Sequence, residues 1–153
     1  MKIFVGADHR GVQLKAGVVQ LLEKLGHTVV DVGAYCDQKP CDYPPIAFDV
    51  AQRVVKSRGS RGILVCMSGV GLAIVANKVP GAYAALCYNK KIAKLSREHN
   101  NSNILVLGAK FVSKAQLKAI IEIWLKTEFE GGRHLRRFKK IKMIERITMK
   151  KDF

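Results

Sequence analysis

No apolar stretch in the 153-residue chain continues past about a dozen residues without interruption, well short of the ~20 that a membrane span needs. The opening residues Met1 to Ala7 run straight into Asp8-His9-Arg10, so neither a signal peptide nor a membrane helix is expected, and the expected setting is the cytoplasm. The four cysteines, Cys36, Cys41, Cys66 and Cys87, contain no C-x-x-C pair and read as reduced thiols. A zinc site built on Cys36 and Cys41 would need two further ligands that the sequence does not place nearby, so no metal is expected. The net charge of +15 is accompanied by no zinc-finger spacing, RNP-like aromatic motif or basic-region heptad. Residues 131–153 supply much of that charge, with nine Lys and Arg against two acids. Such a surface attracts phosphorylated ligands and polyanions alike, and nucleic acid is not the expected partner.

What is present is enough apolar material for one domain. Hydrophobic residues make up 48% of the chain, and a chain of this length buries roughly two-thirds of its unfolded surface. Short apolar runs at 2–7, 28–33, 62–66, 81–87 and 104–108 read as strands. Between them, Leu14, Val18, Leu21, Leu22 and Leu25 recur at helical spacing with Gly26 as a C-cap, and further helices are predicted over 46–56, 70–78 and 89–99. Ala34 to Pro45 is predicted to be loop because Asp37, Pro40, Asp42, Pro44 and Pro45 oppose regular structure. Ser113 reads as the N-cap of a helix through Leu117, Ile120, Ile121, Trp124 and Leu125. After Gly131-Gly132, a basic helix carries Leu135, Phe138, Ile141 and Ile144 on one face, which must pack on its own sheet or on another subunit. Five alternations of strand and helix define an α/β, three-layer α/β/α Rossmann-like sandwich with a five-stranded parallel sheet and a C-terminal amphipathic helix. Ligands of such folds bind at the carboxyl ends of the strands.

Residues 62–78 stand out because the apolar run Ile63 to Val65 ends in Cys66 and a turn, Met67-Ser68-Gly69-Val70-Gly71. The turn offers a thiol, a hydroxyl and backbone N–H groups within a few residues, which suits an anion and a base. A buried cysteine beside an ordinary glycine turn is the competing reading. Arg133 and Arg137, four apart, share a helical face and can converge on one phosphate, or can simply be solvated.

Taken together, Asp8-His9, Asp42-Tyr43-Pro44, Cys66-x-Ser68-Gly69-x-Gly71 with Ala76-Asn77-Lys78, Ser96-Arg97-x-His99-Asn100 and Glu130-Gly131-Gly132-Arg133-His134-x-x-Arg137 resemble the B-type ribose-5-phosphate isomerases. That family also includes galactose-6-phosphate and allose-6-phosphate isomerases. The resemblance implies an aldose–ketose isomerase that uses no metal or organic cofactor and works as a homodimer or dimer of dimers with sites shared between subunits. It implies Cys66 as the base that moves a proton between C2 and C1 through an enediolate. Ser68 and the N–H groups around Gly69 to Gly71 would hold the enediolate oxygens. Asp8, with His99 from the neighbouring subunit, would open the furanose ring. His9, Arg133 and Arg137 would hold phosphate, and Tyr43 and Asn100 would contact sugar hydroxyls.

A helix N-terminus and nearby cations are expected to favour the Cys66 thiolate. Three positions depart from the family pattern: Met67 stands where a glycine is usual, Tyr83 replaces an arginine, and Lys110 replaces an arginine that helps hold phosphate. Met67 must therefore point outward or divert the backbone. The rival readings are an isomerase of six-carbon sugar phosphates and, from another class, a non-catalytic phosphosugar-binding subunit.

Overall fold

In the computed structural model, which describes residues 1–35 and 37–149, five parallel strands alternate with helices. The elements are β1 (Lys2–Ala7), α1 (Val12–Lys24), β2 (Thr28–Gly33), α2 (Tyr43–Lys56), β3 (Arg61–Cys66), α3 (Val70–Ala76), β4 (Ala84–Leu86), α4 (Lys90–Glu98), β5 (Ile104–Gly108), α5 (Lys114–Lys126) and α6 (Gly132–Thr148). The sheet order is β2-β1-β3-β5-β4, every ladder parallel. The predicted sandwich is therefore the observed one.

Side-chain alternation along the inner strands feeds two cores. Ile3, Val5, Ile63, Val65, Leu105 and Leu107 pack against α1 and α5, chiefly on Leu14, Val18, Leu22, Ile120, Ile121 and Trp124. Phe4, Leu64, Cys66, Ile104 and Val106 turn to the other face and meet Ala47, Val50, Ala51 and Val54 of α2 and Leu72 and Ala76 of α3. A strand apolar on both faces must be covered on both, and these are. The chain winds to one side from β1 to β2 and to the other from β3 onward, so the loops after β1 and β3 flank the point where strand order reverses.

Two elements differ in extent from the sequence expectation. Tyr43, Pro44 and Pro45 lie inside α2 rather than in a loop. Proline in the first turn lacks only an N–H that has no helical partner anyway, so it starts this helix instead of opposing it. The fourth strand is confined to Ala84–Leu86, because at its entrance side chains replace the ladder: Asn103 accepts from the Tyr83 N–H, and Asn77 bonds both ways with Ala84. Ser113 caps α5 as expected, with Gln116 completing a reciprocal capping box.

The last helix answers the question of what its apolar face packs on. Only His134 and Phe138 of α6 are buried, while Leu135, Ile141, Met143, Ile144 and Ile147 are exposed. Its own sheet does not cover that face. Near these residues, the outward side of α3 also presents Val70 and Ile74, and a cavity of about 430 Å³ joins them to Met149. No helix of the described residues is long and apolar enough to cross a membrane.

Candidate active site

At the reversal point, Asp8, His9, Arg10, Tyr43, Cys66, Met67, Ser68 and Gly71 line a cleft of about 350 Å³. The turn after β1 is built on Asp8, whose Oδ1 accepts from the N–H groups of Arg10 (2.9 Å) and Gly11 (3.0 Å). His9 follows, and its Nδ1 accepts from the Cys41 N–H at 3.2 Å. In the neutral ring that bond puts the proton on Nε2, the nitrogen left free to donate.

Cys66 ends β3 with its Sγ accepting from the Gly69 N–H at 3.0 Å. The turn demands its glycines. Gly69 has a φ of +88°, and a Cβ there would collide with Leu86; at Gly71 a Cβ would sit 2.6 Å from the Tyr43 ring, which packs across the turn. The Val70 N–H is held by Ser68 Oγ at 3.3 Å. Thus one N–H of the turn serves the thiol and another the serine hydroxyl.

The expected thiolate bias is reversed in this geometry. Cys66 is only 6% exposed, and burial pushes its thiol above the ordinary value, with the Asp8 carboxylate acting in the same direction. The N–H groups of Gly69, Ser68 and Leu72 pull the other way without overcoming burial. The sulfur is therefore a protonated thiol at neutral pH in the free site.

Met67 points outward and the backbone keeps its path. The Cys66 carbonyl accepts from the Ala109 N–H (2.7 Å) and the Met67 carbonyl from the Lys110 N–H (3.1 Å), so the turn after β3 is fastened to the chain leaving β5. Met67 borders a cavity on the α1–α5 side, together with Gln13, Leu14 and Lys114. There Arg10 Nη1 donates to Met67 Sδ at 2.8 Å. Sequence reasoning gave Arg10 no role; its only signal was adjacency to Asp8-His9.

His99, Asn100, Arg133 and Arg137 are not in this cleft. They lie around the C-terminal end of α4 and the start of α6, toward the strand-entry edge, whereas Cys66 ends β3 at the exit edge. His99 stacks on His134 with ring centroids 4.1 Å apart and planes 6° apart. His134 Nε2 is 3.2 Å from Glu130 Oε2, and Arg133 Nε donates to the same nitrogen at 3.3 Å. Desolvation, with His99 and Arg133 alongside, pushes His134 below the usual imidazole range. Arg133, Arg137 and Asn100 are exposed. His99, Glu130 and His134 each offer one ligand atom, all within 4.8 Å of one another. In-plane lone pairs on two nearly parallel rings do not meet at one point, so the stack as it stands is not a ligand set for a metal.

A buried thiol, a carboxylate and an imidazole around a small cleft at the switch point of a parallel sheet define a class: an α/β protein equipped for acid–base chemistry on a small ligand. The chain belongs to the Ribose/Galactose Isomerase family, whose sequence pattern matches residues 3–141. It is 41% identical over 145 residues to the putative sugar phosphate isomerase YwlF of Bacillus subtilis, covering 95% of this chain and 97% of that protein. It is 40% identical over 144 residues to ribose-5-phosphate isomerase B of Escherichia coli, covering 94% and 96%. The ribose-5-phosphate isomerase B structure from Mycoplasma genitalium with bound ribulose-5-phosphate superposes with a TM-score of 0.92 at 42% identity, covering 96% of this chain and 97% of that one. That from Clostridium thermocellum gives 0.91 at 45% identity, covering 96% and 99%.

Proposed function

We propose that this chain interconverts ribose 5-phosphate and ribulose 5-phosphate, with Cys66 as the base that carries the proton between C2 and C1. The observation that carries the reading is the Cys66 thiol set at the floor of the cleft, within a turn of N–H groups and beside Asp8. Deprotonation at C2 builds negative charge on the sugar oxygens, and donors fixed near that charge favour the transition state over the ground state. On this reading Ser68 and the turn of Gly69 to Gly71 serve those oxygens, the Gly71 N–H directly, while the Gly69 N–H stays on the sulfur and the Val70 N–H on the Ser68 hydroxyl. Asp8, with its Oδ1 held by two backbone N–H groups, keeps its other oxygen to assist ring opening. His9 holds phosphate through Nε2–H, and Tyr43 meets a sugar hydroxyl across Gly71.

The cleft of one chain is incomplete, since ring opening by His99, contact by Asn100 and phosphate binding by Arg133 and Arg137 belong to the opposite edge. A homodimer, or a dimer of dimers, closes it if the partner lays that edge against the cleft. The exposed apolar faces of α3 and α6 are the surfaces that support such pairing. Isomerisation through an enediolate needs no organic cofactor and no metal.

The test is an assay of wild type and Cys66→Ala on ribose 5-phosphate with a chelator present. Wild type converts it and the alanine variant loses activity by on the order of 10²-fold or more. Full activity in Cys66→Ala would sink the assignment of the base. A wild type inert on ribose 5-phosphate, allose 6-phosphate and galactose 6-phosphate would favour a binding subunit instead.

A further inference from the structure

At the strand-entry edge, a full strand length from Cys66, a cavity of about 520 Å³ lies between the body and α6. Arg61, which opens β3, and Arg97, in the last turn of α4, line it, and Tyr83, Phe138 and Lys142 border it toward α6. Its described lining residues include none that isomerisation uses. We propose that this cavity binds a small organic phosphate, with Arg61 and Arg97 on the phosphate and Val55, Tyr83 and Phe138 against the organic part.

Both guanidinium groups are held by neutral acceptors. Arg61 Nη1 donates to the carbonyls of Trp124 and Leu125, each at 2.9 Å, and its guanidinium lies 5.1 Å from the centre of the Trp124 ring. Arg97 Nε donates to the Thr127 carbonyl at 3.2 Å, and Nη1 donates to Asn101 Oδ1 at 3.0 Å and to the Ser102 carbonyl. Capping the last carbonyls of α5 accounts for much of this, since a helix C-terminus favours cations. It does not use the rest of either fork. Arg97 is only 7% exposed, yet its Nη2 makes no hydrogen bond among the described residues. No side-chain nitrogen or oxygen among them is both fully buried and unpartnered, so Nη2 reaches open space, and the space that Arg97 lines is this cavity.

The charges are close and uncompensated. Burial and the neighbouring Arg97 push the Arg61 guanidinium down to about 10. Among the described residues neither arginine forms an ion pair; exposed Glu128 acts on both from beyond that distance. No carboxylate is among the lining residues, while Arg58 and Lys142 add charge at the exposed rim. Two like charges drawn partly out of water destabilise each other, and a dianion set between them offsets that. A phosphate also accepts N–H groups in pairs, as guanidinium forks present them. The volume is that of a small-molecule site rather than of a bare ion, and its apolar wall of Val55, Tyr83 and Phe138 suits a carbon skeleton or ring.

The experiment is an amide NMR titration of wild type, Arg61→Gln and Lys142→Glu with AMP and, separately, with inorganic phosphate, with thermal unfolding recorded for each variant. AMP is expected to shift the signals of Ser57, Arg61, Asn101 and Asn103 as one saturating set, and inorganic phosphate to shift the same set more weakly. Arg61→Gln should abolish the response. Because Arg61 also caps α5, Lys142→Glu serves as the variant that leaves the fold alone: its side chain is exposed, and reversing its charge should weaken AMP binding by on the order of tenfold. Shifts confined to the cleft, around Gly69 and Gly71, overturn the site, as does AMP binding of equal strength in wild type and Lys142→Glu. An equal response to the two probes overturns the organic ligand.

Discussion

At Gly69 the backbone turns with φ +88° while its N–H is held by Cys66 Sγ, and a Cβ would run into Leu86. Gly69→Ala is therefore expected to cost about 1–3 kcal/mol of stability and to lower kcat, because the N–H cannot stay on the sulfur while the turn relaxes. Gly71→Ala differs. Its added Cβ meets only the half-exposed Tyr43 ring, so the expected outcome is a raised KM with a melting temperature close to wild type. The raised Cys66 thiol sets the pH dependence. Deprotonated base increases with pH, so kcat/KM is expected to climb through a limb above the ordinary thiol value of ~8.5. Burial also pushes Cys87 up, to about 11. Unfolded thiols release their protons first, so stability from both cysteines is full below ~8.5 and is lost as pH rises from there toward about 11; melts across that range check it. The candidate site was readable where residue types alone imply chemistry, as at Asp8, Cys66 and the two glycines. The protonation of Cys66 was not, because a sequence position shows the nearby helix start but not the depth of burial that outweighs it.

The clearest case among the elements is α6, fastened to the body by few contacts. Phe138 meets Tyr83 edge-on at 4.7 Å and Phe129 at 5.7 Å, and Tyr83 donates to Glu145 Oε2 at 2.7 Å. Tyr83 thus works as a tether for this helix. Tyr83→Phe keeps the ring contact and removes one hydrogen bond to a carboxylate, so a loss of about 1 kcal/mol in thermal or denaturant unfolding is expected. Helical and strand periods located every element, yet boundaries moved where a local rule has two outcomes. Pro44-Pro45 breaks a helix interior but begins α2 well, and the Asn77 and Asn103 side chains shorten β4 by taking over its first backbone groups. The apolar stripe of α6 was visible in the sequence; that the chain itself leaves most of it uncovered depends on where the helix leaves α5, which spacing does not encode.

For the whole molecule, strands of five or six residues at ~3.3 Å each place their two edges about 17–20 Å apart, so Cys66 and His99 of one copy are too far apart to meet the same sugar. A two-fold pairing gives each copy one edge of each site. Mixing inactive Cys66→Ala with inactive His99→Ala after reversible unfolding is then expected to restore about a quarter of wild-type activity, since half the dimers are mixed and each holds one intact site. Recovery near zero would place both groups in one copy's site, and a His99→Ala variant active by itself would place His99 outside the reaction. The thermodynamic consequence of that separation is a dependence on protein concentration. A lone chain holds the thiol without the histidine, so specific activity should decline as the enzyme is diluted below its own dissociation constant, and substrate that bridges the two copies should shift the decline to lower concentration. A cell could thus silence this reaction by lowering the amount of the protein, with no inhibitor and no change to any residue in the cleft.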